Sequence, residues 1–121
     1  MSYPVTITLP NHVAGDQWEG IATIGPILVD GATPSGTLTR IRMQLRYKAM
    51  VFTIDSNSAA NPDAPATISN AATWVATVPA IAGFLPTPGE WRWDMEFYKS
   101  GSLWKTLYSG ALTVLPNVTI P

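Results

Sequence analysis

The residues able to do chemistry in this chain are few and scattered. It holds 1 histidine and 0 cysteines, and without a thiol there is no disulfide, zinc–thiolate site or cysteine nucleophile. His12 follows Pro10-Asn11 with no carboxylate orienter beside it and no G-x-S-x-G turn, so it reads as a surface or loop histidine. Asp94 and Glu96 stand two positions apart, about 7 Å along a strand, a separation compatible with a glycosidase pair. Arg92 on the same face, and Arg40, Arg42 and Arg46 on another strand, are placed to neutralise them, which makes an ion-paired sheet face the stronger reading. Asp55, Asn57, Asn61 and Asp63 offer oxygens of the kind calcium takes, but without EF-hand spacing or a bidentate acid. A plain polar loop is expected there. No catalytic, cofactor-binding or metal-ligating residue is assigned, and the chain reads as no enzyme.

Five tryptophans are the other chemical feature: Trp18, Trp74, Trp91, Trp93 and Trp104. Exposed indoles stack on sugar rings, so a carbohydrate-binding module is the alternative function. Trp91 and Trp93 alternate with polar residues alongside Met95 and Phe97, and Trp74 shares a face with Ala76 and Val78; both patterns point inward. Trp18 and Trp104 are the two left free to face a partner.

The elements that must position these residues are strands. Ile41, Met43, Leu45 and Tyr47 fall on one face of Leu38–Tyr47, opposite Arg40, Arg42, Gln44 and Arg46. Trp91, Trp93, Met95 and Phe97 do the same between Trp91 and Tyr98, opposite Arg92, Asp94 and Glu96. A period of two places each set on one side of a sheet, whereas a helix would scatter it. Weaker strands are expected at Val5–Leu9, Gln17–Ile24, Val51–Ile54, Thr73–Val78, Trp104–Tyr108 and Ala111–Leu115, the last two parted by a bulge or bend at Gly110. With 11 prolines and 9 glycines spread along the chain, no window carries a capped helix; a single turn at Ala80–Phe84, crossing between sheets, is the best candidate. Asp55–Ala66 and Gly31–Gly36 read as loops. The result is an all-β sandwich or barrel of around eight short strands.

Composition sets the outer limits. At 121 residues the chain makes one domain, 1–121. Its 7 Lys+Arg and 8 Asp+Glu leave a net charge of −1, and charged residues are only 12 % of the total. That lacks the basic surplus nucleic acid requires, while a hydrophobic fraction of 46 % opposes disorder. Met1–Ile7 has neither a basic segment nor an apolar run, and no stretch of 18 apolar residues occurs, so no signal peptide or membrane span is expected. The Asn117-Val118-Thr119 sequon is then accidental. A virion or the host cytoplasm is the expected location.

One resemblance sharpens this. The run Pro88-Gly89-Glu90-Trp91-Arg92-Trp93-Asp94-Met95-Glu96-Phe97, then Gly101, then Thr106-Leu107-Tyr108-Ser109-Gly110-Ala111-Leu112-Thr113-Val114, closing on Pro116-Asn117-Val118-Thr119, resembles the immunoglobulin-like N-terminal domain of phage baseplate upper proteins and short prophage tail relatives. Gly15-Asp16-Gln17-Trp18, Leu38–Tyr47 and Trp74–Pro79 fit that pattern more loosely. The resemblance implies an all-β, immunoglobulin-like antiparallel β-sandwich of about seven to eight strands with a Pro-Gly-x-aromatic-x-aromatic-Asp strand paired with a Thr-Leu-x-x-Gly strand, and a tail or baseplate protein working through contacts with other phage structural proteins or its own copies. Baseplate upper proteins continue into a receptor-proximal region while this sequence stops at Pro121, which favours a small structural or adaptor role over receptor contact. The family carries no catalytic residues. A low-charge sandwich suits such contacts, since interface cores are depleted in charge, and Ala111–Ile120, free of charge, reads equally as a segment that docks on a neighbour and as a protected edge strand of the same domain.

Overall fold

Alternating side chains fold here into ten strands, and the described residues, 4–117 of this computed structural model, contain no α-helix. In chain order they are β1 (Val5–Thr8), β2 (His12–Val13), β3 (Ile21–Ile24), β4 (Leu38–Tyr47), β5 (Met50–Asp55), β6 (Ala64–Pro65), β7 (Thr67–Asn70), β8 (Val75–Val78), β9 (Gly89–Lys99) and β10 (Ser102–Leu115). A seven-stranded sheet runs β1-β10-β9-β4-β5-β6, with β2 also on β10; a three-stranded sheet runs β3-β8-β7. The two form a sandwich.

The two patterned strands sit side by side at its centre. β4 and β9 are antiparallel neighbours, with Ile41 opposite Phe97, Met43 opposite Met95 and Leu45 opposite Trp93. Their inward faces are buried, as are Leu107, Leu112 and Val114 of β10. Ile24, Ala76 and Val78 from the smaller sheet close the same core. Each large side chain sealed there contributes on the order of 1.5–3 kcal/mol.

Several expectations need correcting. Trp104–Tyr108 and Ala111–Leu115 are one strand, and its register shifts lie at Leu103/Lys105 and Thr106/Tyr108 rather than at Gly110. Gly110 is required for a different reason: a Cβ there would come 1.7 Å from the Ile7 carbonyl oxygen, so only glycine lets β1 lie against β10. Gln17–Ile24 is a strand only from Ile21; Trp18 makes an isolated bridge to Ile81, and between them Gly20 turns the chain at φ 76°. Thr73 and Trp74 precede β8 in a turn, Trp74 being left-handed at φ 59° yet fully buried. Ala80–Phe84 is a bridge and turn instead of a helical turn, although it does cross between sheets; the one short helix among the described residues, a 3₁₀ turn, is at Ser58–Ala60 in the polar loop. The sandwich is also not wholly antiparallel: β1 and β2 join β10 in parallel, and β6 joins β5 so.

Candidate functional site

The outer face of the large sheet carries the acids singled out above, and ion pairing orders most of it. β4 and β5 put Arg40, Arg42 and Asp55 together. Asp55 is only 1 % exposed; its carboxylate accepts from both Arg40 Nε (2.8 Å) and Arg40 Nη2, and from the Asn57 amide (2.9 Å), with Arg42 Nε at 3.9 Å. Burial alone would raise the pKa of this carboxyl. The Arg40 hydrogen bonds, the Asn57 amide and the two positive charges outweigh that and hold it below the ordinary carboxylate value. Arg40 also lies over the Tyr98 ring, 4.8 Å from its centroid.

Glu96 pairs with Arg42 at 3.5 Å, whereas Arg92 pairs with Glu90 (3.2 Å) and not with Asp94. Asp94 stands in a shallow concavity of about 290 Å³ with Gln44, Arg46, Arg92 and Ser109. An open, arginine-lined sheet face surrounds both acids, without the apolar enclosure that raises the pKa of a glycosidase acid.

The polar loop spends its oxygens on itself. Asn57 Oδ1 caps the 3₁₀ turn by accepting from Ala59 N (3.1 Å), Asp63 Oδ2 accepts from Thr53 N (2.8 Å), and Asp55 is turned to Arg40. Among the described residues no group of three or more His, Cys, Asp or Glu is placed to hold a metal.

His12 is buried, which corrects its reading as a surface or loop residue. Its ring Nε2–H donates to the Phe84 carbonyl at 2.8 Å, and its edge meets the Phe84 ring. That bond, and Ala14 N to Leu115 O at 2.8 Å, pin the chain after β1. The histidine is a fastener.

The tryptophans divide as the alternation implies, with one exception in the detail. Trp74, Trp91 and Trp93 are buried. Trp18 and Trp104 are half-buried: Trp18 stacks on Phe84 at 4.5 Å and 12°, and Trp104 meets Trp74 edge-on with Lys99 and Lys105 over its ring. Each half-buried ring thus spends contact area on another aromatic. Trp74 Nε1 donates to Gly36 O and Trp91 Nε1 to Thr87 O, both at 3.0 Å. Trp93 Nε1 is buried without a partner.

Trp93 points to a region that the sequence does not reveal. An apolar cleft of about 210 Å³ opens between the sheets, lined by Ile7 and Leu9 beside β10, by Ile21, Thr23 and Ile24 of β3, and by Trp93, Met95 and Tyr108 of the core. β1 ends the large sheet and β3 ends the small one, so two strand edges flank one opening. Their sequences, VTIT and IATI, contain neither charge nor proline. Ile7 is 37 % exposed. The only sequence signal of this edge was the absence of charge in both segments.

Comparison with family models, curated proteins and solved structures finds no match to this chain. No helix among the described residues is long and apolar enough to cross a membrane.

Proposed function

We propose that this protein is a non-enzymatic structural component of a phage tail or baseplate, built on an immunoglobulin-like sandwich and acting through protein–protein contacts. The observation that carries the reading is the charge-free edge of β1, paired on one side only to β10, beside one apolar opening that β3 borders from the other sheet. Monomeric sheet proteins protect edges with lysine, proline, bulges or covering loops, because a bare edge templates another strand. A partner strand laid here gains main-chain hydrogen bonds from an edge and an apolar socket for its side chains.

The resemblance between Pro88 and Thr119 supports the phage assignment. Its aromatic strand falls on β9 and its Thr-Leu-x-x-Gly strand on β10, and these are hydrogen-bonded neighbours with Trp93 opposite Gly110. Val118 and Thr119, on which the motif closes, lie outside the described residues, as does the end of the uncharged tail expected to dock, 118–120; its residues 111–115 are the last part of β10 and pair with β9, β1 and β2.

Tailed particles purified from a host carrying this gene test the reading by mass spectrometry. The chain is expected in the tail fraction at a fixed ratio to known tail proteins, and Thr6→Lys combined with Thr23→Lys is expected to remove it while the isolated variant keeps its fold. A chain absent from particles, or retained with both lysines in place, contradicts the proposal.

A further inference from the structure

The N-terminal strand β1 is held by one edge and covers a void. We propose that Val5–Thr8 is exchanged between two copies of this chain, each β1 lying along the Tyr108–Ala111 edge of the other's β10. The inference rests on the contact-protein reading above and names one partner: a second copy.

The seat shows what it accepts. Four parallel register pairs run from Val5–Tyr108 to Thr8–Ala111, and the Gly110 notch admits the Ile7 carbonyl where any Cβ would collide at 1.7 Å. The β1 of a second copy carries the same residues and makes the same bonds. Exchange therefore conserves every contact of the strand, and chain concentration and the linker set the balance.

The unit that leaves has a sharp boundary. Leu9, Pro10 and Asn11 belong to no strand; the backbone bond of this linker is Leu9 N to Ala111 O, at 3.2 Å. Proline fixes its own φ and keeps Leu9 extended, so the linker is already disposed to run straight out. Immediately beyond, His12 on Phe84 O and Ala14 on Leu115 O fasten the chain, both at 2.8 Å.

The underside of β1 is loosely filled. Ile7 borders the 210 Å³ cleft with Trp93, Met95 and Tyr108 and is part-exposed, unlike Leu45 and Phe97, while Leu9 of the linker is half-buried against the core. Lifting β1 forfeits little close packing.

The chain has no cysteine, so introduced thiols report position cleanly. Thr6 and Ser109 are register partners. Thr6→Cys and Ser109→Cys are made as separate variants, mixed at high concentration, and treated with a short bis-maleimide. Exchange predicts a cross-linked dimer whose peptide map joins residue 6 to residue 109, rising with concentration and falling severalfold when Gly110→Ala is added to the Ser109→Cys chain. Links joining residue 6 only to residue 6 mean edge-to-edge pairing; they overturn the exchange and leave the contact-protein reading intact. Absence of any intermolecular link, with the Thr6→Cys/Ser109→Cys double variant closing only within one chain, overturns the exchange, while recovery of the chain from tail particles decides the broader reading separately.

Discussion

The β4–β9 pair and the β1 edge both alternate apolar with polar residues and do opposite things. In β4 and β9 the inward side chains are buried against both sheets, the outward ones form ion pairs such as Arg42–Glu96, and the buried Trp91 indole has its acceptor. At β1 one edge is open, a cleft lies beneath, and the neighbouring Trp93 indole N–H has no acceptor. A strand paired on both edges and packed on its inner face supplies stability and offers little to a partner. A strand satisfied on one edge supplies little stability and is available.

The largest test of that contrast is truncation in each region. Phe97→Ala empties a site with 0 % exposure and should lower the unfolding free energy by about 3–5 kcal/mol. Ile7→Ala, on the β1 edge, should lower it by less than about 1 kcal/mol. Chemical denaturation reads both, and equal losses would erase the contrast.

Gly110→Ala should come next. Its methyl displaces the Ile7 carbonyl, so amides of Val5–Thr8 should lose hydrogen-exchange protection while those of β4 and β9 keep theirs, with a global loss of roughly 1–3 kcal/mol. Loss of protection throughout the chain would show that β1 is part of the core.

Asp55→Ala leaves the half-exposed Arg40 without its carboxylate and should cost about 1–3 kcal/mol. Because the folded Asp55 carboxyl titrates below its ordinary value of 3.8, the folded chain binds fewer protons than the unfolded one just below that pH. Its contribution is full above the ordinary value and is lost as pH falls through the lowered one. The stability gap between wild type and variant should therefore shrink on acidification across that window, and a constant gap would refute the assignment.

Smallest is the indole comparison. Trp91→Phe strands the Thr87 carbonyl and should be the more harmful of two matched changes, by about 1 kcal/mol. Trp93→Phe removes a donor that has no acceptor and should cost only the packing of the lost ring. Reversal of that order would mean Trp93 Nε1 is satisfied.

The centre of the fold was legible because burial of one face enforces alternation; Leu38–Tyr47 is a strand at the bounds its pattern sets. β7 escaped because its TISN sequence is a polar edge with only Ile68 half-buried, and β2 and β6 because two residues carry no period. Trp74 was read as a strand residue because its inward neighbours fit, while a left-handed tryptophan is rare enough that no sequence pattern announces it. Gly110 was visible as a glycine but not as the seat of Ile7, which belongs to a segment about a hundred residues away. The arginine-rich face around the acids was readable, though not that Glu96 would take Arg42 while Arg92 turns to Glu90 instead of Asp94. His12 and the cleft depend wholly on what tertiary packing brings to them.

Hydrogen exchange on the free protein and on the same chain within tail particles is the most direct measurement of all. The account predicts that amides of Val5–Thr8 and Ile21–Ile24 exchange quickly in the free protein and become protected on assembly, with β4 and β9 slow in both. Edges that stay unprotected in particles, while the arginine-lined outer face of β4 and β9 gains protection, would contradict it.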